Sequence, residues 1–172
     1  FGGWQFNEAD LQAVPLSTRG YAKGVPMGAT LPSPKGDALS PHFLLAAMKE
    51  PDGPNLHALQ VIKGWLGEDG RVYEQVFDVT VAGPMEEDGA ASLSGVWRDP
   101  SFQLGHSAFY YARAIEVPRP RWTSRDAQFF HVDVPAEAPL TVQDRAYSSP
   151  IWYYPARSET EDTGHWVSDD AH

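Results

Sequence analysis

Two apolar-rich stretches, Leu56 to Leu66 and Arg71 to Val81, flank Glu68-Asp69-Gly70. Asp-Gly tolerates the positive φ of a tight turn, so the trio predicts two antiparallel strands joined as a hairpin. In the second stretch Val72, Glu74, Val76 and Asp78 alternate with Tyr73, Gln75, Phe77 and Val79. The latter set is the more apolar, which predicts one buried face and one wet face. In the first stretch Leu59, Val61 and Ile62 are expected to point inward.

Fifteen Gly and fifteen Pro interrupt the rest of the 172 residues. Pro ends helices and avoids central strands, so the elements should be short and joined by ordered loops. A helix of two turns at most is predicted from Asn7 to Ala13. Asn7 caps it, Glu8 and Asp10 suit its first turn, and Pro15 closes it. Ser17 to Pro41 reads as a long ordered loop, of the kind that is functional or packs on another element. Strands are expected at His42 to Lys49, ended by Glu50-Pro51-Asp52-Gly53, at Leu93 to Trp97 and at Ser107 to Val117. Gly83 to Ser92 is acidic and reads as a mobile loop. Arg121 to Pro139 reads as irregular, with one helical turn at Ser124 to Gln128. Leu140 to Arg145 and Ser149 to Tyr154 supply the last strands.

This pattern predicts a mainly β domain over residues 1–155: a two-sheet, antiparallel, sandwich-like fold with long ordered loops and little helix. Residues 1–41 read as its loop-rich N-terminal arm, and residues 156–172 as an acidic, solvated tail.

The formal net charge of −10 would repel a phosphate backbone, so nucleic acid is not an expected partner. An anionic membrane surface is disfavoured for the same reason. No apolar run approaches the roughly 20 residues of a membrane span. The absence of cysteine excludes disulfides and thiolate metal sites. It leaves the compartment open, and a soluble periplasmic or secreted protein is among the readings it permits. The opening Phe1-Gly2-Gly3-Trp4 is not a signal peptide and reads as a point inside something longer.

Several stretches occur in a telling order. Phe1-Gly2-Gly3-Trp4-Gln5-Phe6 is followed by Gly20-Tyr21-Ala22-Lys23-Gly24-Val25-Pro26-Met27-Gly28 and by Val61-Ile62-Lys63-Gly64-Trp65. Next come Trp97-Arg98-Asp99-Pro100-Ser101-Phe102 and Ala108-Phe109-Tyr110-Tyr111-Ala112-Arg113. Pro120-Arg121-Trp122-Thr123 and Gln143-Asp144-Arg145-Ala146-Tyr147-Ser148-Ser149-Pro150-Ile151-Trp152-Tyr153 end the series. The chain up to Pro155 thereby resembles the C-terminal portion of the family known as domain of unknown function 3604. The resemblance implies a longer parent whose N-terminal part is similar to metal-dependent hydrolases of the polymerase-and-histidinol-phosphatase type. Its divalent-metal ligands, His and Asp, would lie in that N-terminal part, and no cofactor is expected in this chain. Where this chain has Gly28-Ala29-Thr30-Leu31, family members tend to read Gly-Gly-Asp-Leu. The loop between Gly83 and Ser92 is also shorter than the family usually carries.

No catalytic constellation stands out. There is no His-x-His, no His-Glu-x-x-His, no Gly-x-Ser-x-Gly and no phosphate-binding glycine motif. His131 and Asp133 would share a face if they lay on a strand, and are the weak metal candidates. Glu86, Glu87 and Asp88 sit in a turn, where paired carboxylates lack a rigid frame.

The candidate ligand or docking residues are Lys23, Met27, Arg113, Arg121, Trp122 and Arg145. Cations set among aromatics in so acidic a chain can bind an anionic group or dock on an acidic rim. They can equally stack on Trp or Tyr and pair with Asp99, Asp126 or Asp144 to lock loops. Trp65, Trp97 and Trp152 lie in strand patterns and suit the core, whereas Trp4, Trp122 and Trp166 fall in loops.

Two functional expectations follow. The first is a non-catalytic accessory β domain that packs on the metallohydrolase-like domain of the same parent. It would lend loops, Gly20 to Leu31 and Pro118 to Asp126, to the active-site rim. The second is an independent module that binds a saccharide or another small molecule. The first should show a broad apolar patch, and the second a compact groove lined by aromatics.

Overall fold

A computed structural model of the chain describes residues 1–34, 40–83 and 89–156. The centre of the Gly83 to Ser92 loop, and the tail beyond Ala156, lie outside the described residues.

Strands β1 (Gly2–Gly3), β2 (Gly24–Val25), β3 (His42–Met48) and β6 (Ser92–Arg98) form one sheet in the order β2-β1-β3-β6. The second sheet holds β4 (Leu56–Leu66), β5 (Val72–Val81), β7 (Ala108–Glu116) and β10 (Arg145–Tyr147) in the order β10-β7-β4-β5. Strand β11 (Ile151–Tyr153) also pairs with β7. All pairings between these strands are antiparallel. A separate ribbon joins β8 (Arg119–Pro120) to β9 (Thr141–Val142). The fold is mainly β, as expected.

The predicted hairpin is β4–β5, with Gly70 at φ 73° in its turn. The sheets meet through Phe43, Leu45 and Leu93 on one side and Leu59, Val61, Tyr110, Ile151 and Tyr153 on the other. Burying each such side chain stabilises the fold by roughly 1.5–3 kcal/mol. Ile62 points to the opposite side of β4 from Val61 and is equally buried. Strand β5 lies at the sheet edge: of the face expected to be buried, Phe77 and Val79 are half-buried but Tyr73 and Gln75 are exposed, as are Val72, Glu74, Val76 and Asp78 of the other face.

Local structure departs from the sequence reading at the helices and at the strand expected over Leu140 to Arg145, which is split between β9 and β10 in different sheets. Asn7 does cap an element, and Asp10 completes the capping box, but the element is a 3₁₀ turn, Glu8–Gln12. The long loop expected after Ser17 begins as a helix, α1 (Leu16–Lys23), followed directly by β2. Ser, Thr and Gly are weak helix formers, so tertiary packing supplies what propensity does not. Gly20 is buried, and a Cβ there would collide with the Phe1 ring. The single turn expected near Ser124 is a nine-residue helix, α2 (Trp122–Phe130), with no buried residue. No helix among the described residues is long and apolar enough to cross a membrane.

Candidate functional site

Strand β7 is flanked by β4 on one side and by β10 and β11 on the other, so it has two working faces. Ala108, Tyr110, Ala112 and Ala114 turn toward the sandwich interior. Phe109, Tyr111, Arg113 and Ile115 therefore turn outward. In register beside them stand Trp152 opposite Phe109, Tyr147 opposite Arg113, and Arg145 opposite Ile115. The result is an aromatic band. Ring centroids lie 6.3 Å apart for Tyr154–Trp152, 5.4 Å for Trp152–Phe109, 6.3 Å for Phe109–Tyr111 and 6.2 Å for Tyr111–Tyr147. Gly64, opposite Phe109 on β4, makes room for that ring: a Cβ at this position would meet it first.

A polar line crosses the same face. Arg113 Nε donates to Gln60 Oε1 at 2.8 Å, and Gln60 Nε2 donates to Asp78 Oδ1 at 2.6 Å. On the far side of β11, Thr30 bridges to Trp152, and the Leu31 amide donates to the Trp152 carbonyl at 2.7 Å. The segment after Met27 thus borders the aromatic band. Trp152, expected in the core, is instead 37% exposed on this outer face. Trp65 and Trp97 pack against the core as expected, each half-buried.

Beneath the other face lies a buried polar network. Lys63 Nζ sits 2.7 Å from Asp99 Oδ2, and also donates to the Ser101 carbonyl at 3.0 Å. Tyr110 donates its hydroxyl to Asp99 Oδ2 at 2.7 Å, and the Ser101 amide donates to Asp99 Oδ1 at 2.9 Å. Burial pushes the Tyr110 hydroxyl pKa far up, with the Asp99 charge adding to it, so the phenol stays a donor. The Lys63 ammonium also lies 5.2 Å from the Trp65 ring centre. Every strong donor and acceptor of this group is engaged, so it acts as a clamp holding the β6–β7 loop on β4 and β7. Nothing in it is poised as a nucleophile or a base.

A family model described as Protein of unknown function (DUF3604) matches residues 1–89 and 82–155. The chain belongs to this family. The two matched segments overlap at residues 82–89, in the acidic loop. No curated protein and no solved structure matches the chain. The stretches that carry the family likeness converge on the features just described. Lys63, Asp99, Ser101 and Tyr110 form the clamp, while Phe109, Tyr111, Arg113, Arg145, Tyr147 and Trp152 form the outer face.

The six candidate residues fall in three places, not one. Arg113 and Arg145 share the outer face. Lys23 ends α1, 2.7 Å from Asp10, and Met27 is exposed a few residues later. Arg121 precedes α2 without capping it, and Trp122 opens that helix with its ring exposed. The expected acidic partners are taken differently: Asp99 pairs with Lys63, and Asp144 with Arg119 at 2.8 Å. Among the described residues, Arg113, Arg121 and Arg145 make no ion pair.

His131 and Asp133 are not on a strand. His131 closes α2 in the left-handed conformation at φ 55°, so the shared-face argument for a metal pair fails. Among the described residues no three His, Asp or Glu side chains are grouped to hold a metal ion.

Sequence reasoning missed both the clamp and the aromatic band. Lys63 within Val61-Ile62-Lys63-Gly64-Trp65 was the available signal, because an inward lysine on a central strand demands an acidic partner. The signal for the band was that both alternating sets of β7 carry aromatics.

Proposed function

We propose that this chain is a non-catalytic accessory β domain of a longer, hydrolase-like protein, and that it docks on the rest of that protein through the outer face of its second sheet. The observation that carries the reading is the aromatic band from Tyr154 through Trp152, Phe109 and Tyr111 to Tyr147. Sheet faces exposed to water are normally polar; aromatic residues with an arginine beside them are what interface centres favour. Arg113 and Arg145 at one end suit a carboxylate-bearing rim. The Met27 to Leu31 segment borders the same face, which supports its role as a loop lent to a neighbouring active site. The metal chemistry belongs, in this reading, to the partner domain.

The alternative, a small-molecule or saccharide module, calls for a compact aromatic groove. The apolar cleft beside β3 is walled partly by rings, but its open side is the backbone edge of that strand. That favours polypeptide over sugar.

Hydroxyl-radical footprinting tests the proposal. Oxidation of Trp152, Tyr147 and Tyr154 is measured in the 172-residue chain and in the intact longer protein. Docking predicts that all three are shielded in the longer protein. Equal oxidation in both would sink the reading.

A further inference from the structure

The edge of β3 that faces β1 is paired only as far as Leu44. Leu44 N donates to Phe1 O, and Phe1 N donates to Leu44 O, each at 2.9 Å. Backbone groups of an antiparallel strand point alternately to either side, so those of Ala46 and Met48 face the same edge as those of Leu44. The amide of Lys49 confirms the alternation, since it turns the other way to bond Ala91 beyond β6. The β1–β3 pairing covers only Phe43 and His42 besides Leu44, and no described residue pairs with Ala46 or Met48 on that side. Exposed edges are usually guarded by Lys, Pro or a bulge. Ala46-Ala47-Met48 carries none of these.

Beside this edge opens a cleft of about 370 Å³. Its walls include Tyr21, Met27, Tyr110, Ala112 and Ile151, its floor includes Val61, and no charged side chain lines it. A row of backbone donors and acceptors unpaired among the described residues, next to an apolar cleft, is what strand addition requires: main-chain bonds for affinity and a pocket for alternate side chains.

We infer that this edge accepts an extended polypeptide segment running antiparallel to β3, and that the segment is the stretch of the longer protein that leads into Phe1. The inference rests on the reading above that this chain is one part of such a protein. The register follows from the observed pairs: Gly3 faces His42, Gly2 faces Phe43, and Phe1 lies opposite Leu44. The residue before Phe1 then stands opposite Leu45, and the third before it opposite Ala47. Leu45 and Ala47 both face the core, so these two upstream side chains enter the cleft and are expected to be apolar. The second and fourth residues before Phe1, opposite Ala46 and Met48, complete the missing backbone bonds.

The test is amide hydrogen exchange by NMR on the 172-residue chain, and on the same chain lengthened by its natural upstream residues. Exchange at Ala46 and Met48 is expected to slow by on the order of 100-fold in the lengthened chain. The protection should vanish when the residue before Phe1 is replaced by Asp. Unchanged exchange in the lengthened chain overturns the inference, and so does protection that survives the Asp substitution. The outcome is separable from the docking proposal, because footprinting at Trp152 reads the opposite sheet. Shielding there without protection at Ala46 would sink only the strand addition, and the reverse result would sink only the docking face.

Discussion

Lys63 on β4 and Asp99 in the β6–β7 loop form a 2.7 Å ion pair with both side chains almost wholly out of water. Asp99 further accepts from Tyr110 and Ser101. Removing one partner of such a pair leaves an uncompensated buried charge, which costs about 3–5 kcal/mol. Lys63→Met is therefore expected to lower unfolding free energy by about that much in urea titrations. The double variant Lys63→Met/Asp99→Leu should lose clearly less than the sum of the two single changes. Additive losses would mean that the pair is not coupled.

Asp10 links the 3₁₀ turn to α1 through Lys23. The Lys23 ammonium, joined by the Asn7 amide, holds the Asp10 carboxyl below its ordinary value of 3.8. A depressed carboxyl stabilises the fold above its unfolded pKa and loses that contribution as pH falls through the lower folded value. Acid should therefore loosen the N-terminal arm only below about pH 4. Asp10→Asn should abolish this acid-dependent step, followed by NMR of the Gly20 and Lys23 amides between pH 5 and pH 2.

Gly64 gives space to the Phe109 ring on the outer face. Gly64→Ala would push that ring aside, since a side chain yields more easily than a strand. The expected cost is roughly 1–3 kcal/mol, as for other overpacked sites. The near-ultraviolet circular dichroism of the Phe109–Trp152 pair should change with it. An unchanged spectrum would show that the ring does not rest on Gly64.

Helix α2 has no buried residue, and Trp122 is 66% exposed. Trp122→Ala and Phe129→Ser should leave stability within about 0.5 kcal/mol of the parent chain, as exposed positions usually do. A larger loss in thermal unfolding would mean that the helix packs on the domain.

Much of the sheet framework was legible in order and extent. Leu56 to Leu66 is strand β4 to the residue, and β5 begins one residue after Arg71. Alternation and the Asp-Gly turn suffice there because both act over a few neighbouring residues. Helix α1 was not legible, and α2 only as one turn, because Ser17, Thr18 and Gly20 in the first and Trp122, Thr123, Ser124 and Asp126 in the second dilute their helix formers. Gly20 reads as a breaker until the Phe1 ring is seen against it. The cations were singled out as a set, yet the fold separates them by sheet and by end. Arg113 and Arg145 meet only because β10 pairs with β7 in one particular register.

By itself the sequence determined that this is an antiparallel β protein of one family, with Lys63, Asp99 and the aromatics of β7 and β11 among its characteristic stretches. Only the tertiary structure decided that Lys63 meets Asp99 inside, that Trp152 stands outside, and that no described residue pairs with the edge of β3 beyond Leu44. The physical reason is range. Alternation separates the two faces of a strand but does not say which neighbour covers either one. That depends on pairings such as Gly64 with Phe109 and Phe109 with Trp152, between residues more than forty positions apart.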